Sequence, residues 1–155
     1  MNTLNPVSKA TVWTSFTLAL AGLGVSIYLT YAHFEKVVLS CPTNGVFNCE
    51  LVTHSKESYF LGVPVAVLGL LNFVVVVALC SPWAWRRPER VVAYLRGAVA
   101  VVNIAMVLWL LAAELLIIGK FCLWCTSVHL ITFALFVTLA RAIPAQLGWG
   151  TTPRP

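Results

Sequence analysis

The stretch GAVAVVNIAMVLWLLAA, residues 97–113, runs for 17 residues without an Asp, Glu, Lys or Arg, and a further apolar turn follows Glu114. A helix needs about 20 residues at ~1.5 Å rise to cross a hydrocarbon core of ~30 Å. Residues 97–118 are therefore read as a membrane-spanning helix. Uncharged runs also cover residues 11–32, 58–85 (its apolar part 62–80) and 121–140. Strands of a membrane barrel would alternate over about ten residues, whereas these runs are continuously apolar. The reading is an all-α membrane protein, a four-helix transmembrane bundle with spans at 11–32, 62–80, 97–118 and 121–141. The first run shows no clear small-residue cleavage site and is read as a retained span, not a signal peptide.

Composition agrees. Of 155 residues, 60% are hydrophobic and 10% charged, where a soluble domain carries about 45–50% and about 25%. Too few charges remain to solvate a globular surface, and a disordered chain is excluded. Lys9, Arg86, Arg87, Arg90, Arg96, Arg141 and Arg154 fall on one side of the four spans, and Lys36, Lys56 and Lys120 on the other. The positive-inside rule then places both termini and the arginine-rich link in the cytoplasm, and a long loop, 33–61, outside. The net charge of +5 is distributed as topology demands, so nucleic acid is not an expected partner. Trp83 and Trp85 in the link read as headgroup anchors.

The cysteines carry the chemistry. Cys41 and Cys49 lie eight apart in the outer loop, Cys122-Leu-Trp-Cys125 opens the last span, and Cys80 sits at the opposite end of the second. Four thiols thus share the outer face, where disulfides persist. They allow three pairings, and spacing does not choose among them. A disulfide across Cys122 and Cys125 would close too short a ring to stabilise much. As a redox pair at a helix N-terminus, next to Lys120, it is well placed. Tetrahedral zinc usually takes two short Cys-x-x-Cys knuckles; only one is present, so no metal is expected. A loop pair open to a soluble thiol and a second pair at the lipid boundary suggest a relay by thiol–disulfide exchange. Pro42, Asn44-Gly45 and the polar run 53–58 are expected to give the loop the mobility this needs.

This order resembles the vitamin K epoxide reductase family, specifically its bacterial members. The resemblance rests on the loop cysteines eight apart, Ser55 six residues after the second, the segment LGVPVAVLGL at 61–70, and Cys-x-x-Cys opening span four. It implies a catalytic domain over 1–142 and a quinone (menaquinone or ubiquinone) held inside the bundle, while the Gly/Pro/Thr-rich stretch 143–155 is read as a flexible cytoplasmic tail. On matching positions, Cys41 and Cys49 would take electrons from a thioredoxin-fold partner outside the cytoplasm. Cys49 would form the mixed disulfide with Cys122, and Cys125 would face the quinone ring. Ser55 matches a loop Ser/Thr near the site. Because only 14 residues follow Arg141, the redox partner is expected to be a separate protein.

Two positions depart from the vertebrate pattern. His129 stands where those members carry a tyrosine, one turn below Cys125, and is read as a quinone contact. Gly62-Val63-Pro64 replaces an amide near the start of span two, so epoxide reduction is not carried over. Trp124 is a further candidate for the quinone, or for the interfacial belt. Glu114 is expected to snorkel to the interface, Asn72 and Asn103 to join helices by hydrogen bonds, and Cys80 to be an inert thiol. The expected function is disulfide formation in exported proteins at a bacterial plasma membrane, with the active site on the extracytoplasmic face. The competing reading is a structural tetraspan protein whose cysteines only staple the outer loop. A quinone-linked oxidase type with the reverse cysteine order is a weaker rival.

Overall fold

Small residues set how closely the helices approach. The computed structural model of the chain describes residues 4–35, 39–41 and 45–149. Along α1 (Lys9–Glu35) the buried positions are Ser15, Ala19, Gly22, Ser26, Leu29 and Ala32. This stripe of three- and four-residue steps lets neighbouring backbones come near. The ring of Phe73, in α3 (Val65–Cys80), fills the space over Gly22 that any Cβ would occupy. Thr30 Oγ1 then donates to both Ser26 O (2.8 Å) and Ala66 O (3.0 Å), tying α1 to the first turn of α3.

The loop before α3 is more ordered than its polar composition predicts. A short helix, α2 (Cys49–Thr53), is capped by Asn48, whose Oδ1 accepts from Leu51 N–H at 3.0 Å. A 3₁₀ turn (Lys56–Ser58) follows, and then an antiparallel hairpin of β1 (Tyr59–Phe60) and β2 (Val63–Pro64). Its two-residue turn places both Leu61 (φ 52°) and Gly62 (φ 82°) in the left-handed region, the backbone a tight hairpin requires. The expected span 62–80 therefore gives up its first residues to the hairpin. Residues 42–44, part of the expected mobile stretch, lie outside the described residues.

After α4 (Pro82–Trp85), capped by Ser81 Oγ on Ala84 N–H, α5 runs from Arg90 to Ala112 and continues as a π-helical segment, Ala113–Ile118. Gly119, at φ 66°, ends it by donating to Glu114 O at 2.9 Å. The last helix, α6, spans Leu123–Leu147. Lys9–Glu35, Arg90–Ile118 and Leu123–Leu147 are long and apolar enough to cross a membrane, and Val65–Cys80 is apolar but shorter. The chain is an all-α, multi-pass membrane protein. In the bundle α1 packs along α3 and α6, and α5 packs along α6.

Three expectations fail at the arginine-rich end. Helix α5 starts seven residues before the expected span, and Arg96, expected in the link, lies inside that helix at 1% exposure. Its Nε and Nη2 donate to Leu79 O (3.1 and 2.9 Å), its Nη1 donates to Gln146 Oε1 (3.3 Å), and its guanidinium stacks 3.5 Å from the Trp85 ring. It satisfies a terminal carbonyl of α3, one of the groups every helix end leaves unpaired. Trp85 is correspondingly buried, donating to Ser15 Oγ at 3.3 Å, and so is no headgroup anchor. Trp83 stays exposed, with Arg87 over its ring.

The expected tail also begins too early. α6 continues through Pro144, and Ile143, Gln146 and Leu147 are buried. Asn5 covers its end by donating from N–H to Gln146 O (2.9 Å) and from Nδ2 to Ala145 O (3.0 Å), which brings the two ends of the chain together. Residues 150–155 lie outside the described residues.

Candidate functional site

Cys41 and Cys49 are joined by a disulfide, with their Cα atoms 6.1 Å apart. Cys122 and Cys125 are free thiols. A short backbone pairing brings the two sets together. Phe47 and Phe121 form a parallel bridge: Asn48 N–H donates to Phe121 O (3.0 Å), and Phe121 N–H donates to Val46 O (3.1 Å). Lys120 Nζ adds a bond to Gly45 O. Cys49 stands two residues beyond Phe47, and Cys122 directly follows Phe121. Both are buried, at 1% and 0% exposure, in one apolar cluster with Leu29, Ala32, Leu39 and Val52, and Cys41 and Cys125 pack against its edge. The expectation that loop mobility must deliver a cysteine to Cys122 gives way to a loop already docked.

Cys122 caps α6, its Sγ accepting from Cys125 N–H at 3.3 Å. It sits one residue ahead of the span. Hydrogen bonding from the Cys125 side chain, joined by backbone N–H groups, holds its thiol below the ordinary range against the opposing effect of burial. Such a thiol leaves readily in exchange.

Trp124, a candidate for the quinone or for the interfacial belt, turns to the loop. Its indole N–H donates to Ser40 O (3.1 Å), its ring lies 4.7 Å from that of Tyr28, and Tyr28 Oη accepts from Ser40 N–H (3.4 Å). Together these two aromatics fix the residue next to Cys41.

On the other side of Cys125 lies a cavity of about 640 Å³ walled by α1, the loop, α3, α5 and α6. That size suits a small-molecule site. Cys125, His129 and Ser55 line it, as do Asn72, Asn103 and Glu114; Trp124 and Cys122 do not. Ser55 Oγ already donates to Val52 O at 3.0 Å, so toward a ligand it can accept but not donate. Asn72 and Asn103 make no side-chain hydrogen bond among the described residues, contrary to the expected helix-joining role, and face the cavity instead. Glu114 does not snorkel: it is 3% exposed. Among the described residues, the buried side-chain atoms without a hydrogen-bond partner are Arg90 Nε, Glu114 Oε2 and His129 Nδ1, the last two on cavity-lining residues. Cys80, also free and buried, is at the opposite end near Ser15 and Arg96.

A multi-pass helical bundle with a docked loop disulfide, a Cys-x-x-Cys helix cap and an apolar cavity beneath it defines a membrane thiol–disulfide oxidoreductase. The sequence model of the vitamin K epoxide reductase family matches residues 13–140. The chain belongs to that family, whose activity in general is quinone-linked disulfide oxidoreduction. A quinone fits what the cavity offers. Its flat ring suits apolar walls, and its two carbonyl oxygens need polar partners, which orphaned buried atoms are free to supply.

Proposed function

We propose that the chain is a quinone-dependent thiol–disulfide oxidoreductase of a bacterial plasma membrane, with both termini cytoplasmic and the four-cysteine end outside. It reoxidises a reduced thioredoxin-fold partner and so supports disulfide formation in exported proteins. The observation that carries this reading is the Phe47–Phe121 bridge, with Cys122 one residue and Cys49 two residues beyond it in one buried cluster. The arginine-rich link and the paired chain ends on the opposite side support the orientation.

A partner thiolate attacks the Cys41–Cys49 disulfide, and resolution of that mixed disulfide leaves two loop thiols and an oxidised partner. Cys49 thiolate then attacks Cys122 of an oxidised Cys122–Cys125 pair, expelling Cys125 as thiolate into the cavity. Cys41 attacks Cys49, restoring the loop disulfide and releasing Cys122. The structure, with Cys41–Cys49 bonded and Cys122 and Cys125 free, corresponds to this point of the cycle. A bound quinone would supply the two-electron acceptor, and His129 and Cys125, which line the cavity, would hold it.

Purification, an optical spectrum and extraction of bound lipid test the reading. The wild-type protein is expected to carry a quinone. His129→Leu is expected to bind added quinone about tenfold more weakly, the loss of roughly one hydrogen bond. A protein that neither carries nor binds a quinone would leave the structural tetraspan as the better account.

A further inference from the structure

Glu114 has no place in the relay described above, yet the fold takes unusual care of it. Asn103, Val107, Leu110 and Glu114 recur at four-, three- and four-residue steps along one face of α5 and its continuation, and all four line the cavity. The carboxyl lies in the π-helical segment Ala113–Ile118, a local geometry that recurs at functional sites. Its Oε2 is buried without a partner, and the group lies within electrostatic reach of both Cys122 and Cys125. A buried carboxyl so placed is costly unless something binds against it.

We propose that Glu114 is a second catalytic residue of the quinone half-reaction, carrying a proton from the Cys122/Cys125 thiols to one ring oxygen. The inference rests on the quinone reading above and adds a residue to it. Forming the Cys122–Cys125 disulfide breaks two S–H bonds, makes one S–S bond, and releases two electrons and two protons. Turning the quinone into its hydroquinone consumes two electrons and makes two O–H bonds. The electrons leave through Cys125, and each proton needs a carrier along walls that are mostly apolar.

The structure offers two carriers at that depth, from different helices: His129 on α6 and Glu114 at the end of α5. Glu114 gives its carboxyl proton to one oxygen and recovers one from a thiol; His129 serves the other oxygen in the same way. Both end as they began. His33 and Glu57 also line the cavity, but both are partly solvent-exposed, and His33 Nε2 is engaged with the Tyr59 hydroxyl at 3.2 Å.

The test compares full-length wild type with Glu114→Gln, using menadione as the quinone. The amide keeps the shape and can still donate a hydrogen bond, but it does not relay a proton. Menadione affinity, read by quenching of tryptophan fluorescence, is expected to stay within about twofold, while single-turnover oxidation of Cys122 and Cys125 slows by roughly 10²-fold. In the infrared, menadione binding is expected to shift a carboxyl band in wild type that the variant lacks. A variant that oxidises its thiols at the wild-type rate would overturn the proposal. So would a wild-type carboxyl band indifferent to menadione, or a variant whose affinity falls more than about tenfold, which would make Glu114 a binding group only. Wild type that binds no menadione would instead reject the quinone reading underneath.

Discussion

Cys125→Ala is expected to reduce quinone turnover to background and to leave Cys122 disulfide-bonded to Cys49. In the proposed relay, removing Cys125 takes away the cavity-lining thiol, so the quinone half-reaction would have no donor. Cys122 is left with one neighbour able to pair with it. It lies beside Cys49 in the same buried cluster, so its thiolate attacks the Cys41–Cys49 bond at Cys49. Cys41 is then released as a free thiol. Peptide mapping after acid quenching and alkylation should find the Cys49–Cys122 pair and label Cys41. Finding Cys41 paired with Cys122 would assign the exchange to the wrong loop cysteine.

The second large effect is expected from a residue with no redox chemistry. Asn48→Pro removes three things together. The N–H that donates to Phe121 O is lost, as is the Oδ1 that caps α2. The observed φ of −154° is also out of reach, because proline holds φ near −65°. The bridge then fails, and Cys49 no longer lies in register with Cys122. Displacing a reacting group by about 1 Å can cost on the order of 10²-fold in rate, so transfer from the loop pair to Cys122 should slow by about that factor. Quinone affinity should change far less, because Asn48 is not among the residues that line the cavity. Rapid-quench thiol trapping after partner addition measures the step; an unaltered rate would mean that the bridge does not set it.

The membrane character was legible because uncharged runs of spanning length have few other uses, and the cysteine order carried the family resemblance. The limits of the spans were less legible. A single arginine does not stop a helix when its guanidinium can reach a terminal carbonyl and an aromatic face, so α5 swallows Arg96 and begins at Arg90, just past Pro88. Pro144 likewise fails to end α6, whose close is set by Gly148 and by Asn5 reaching across from the other end of the chain.

At the site, Cys125, His129 and Ser55 fall on one cavity, while Trp124 turns to the loop. Glu114 could have been found: its seven-residue step from Val107 and its eleven-residue step from Asn103 put it on the inward face of a helix. The usual preference of charged side chains for the interface points the other way, and the periodicity is the better guide here. The Phe47–Phe121 bridge left no comparable signal. One pair of residues in a loop has no periodicity to read, and its partner lies 74 positions away.

If electrons pass from the loop pair through Cys122 and Cys125 to a quinone, these two thiols must cycle with the quinone pool. The most direct measurement is mass-spectrometric thiol trapping of the wild-type protein in membranes, with a reduced thioredoxin-fold partner present and quinone either depleted or supplied. Labelled Cys122 and Cys125 without quinone, becoming protected as a disulfide when quinone is restored, is the predicted result. Labelling of these two residues that stays the same in both conditions would contradict it.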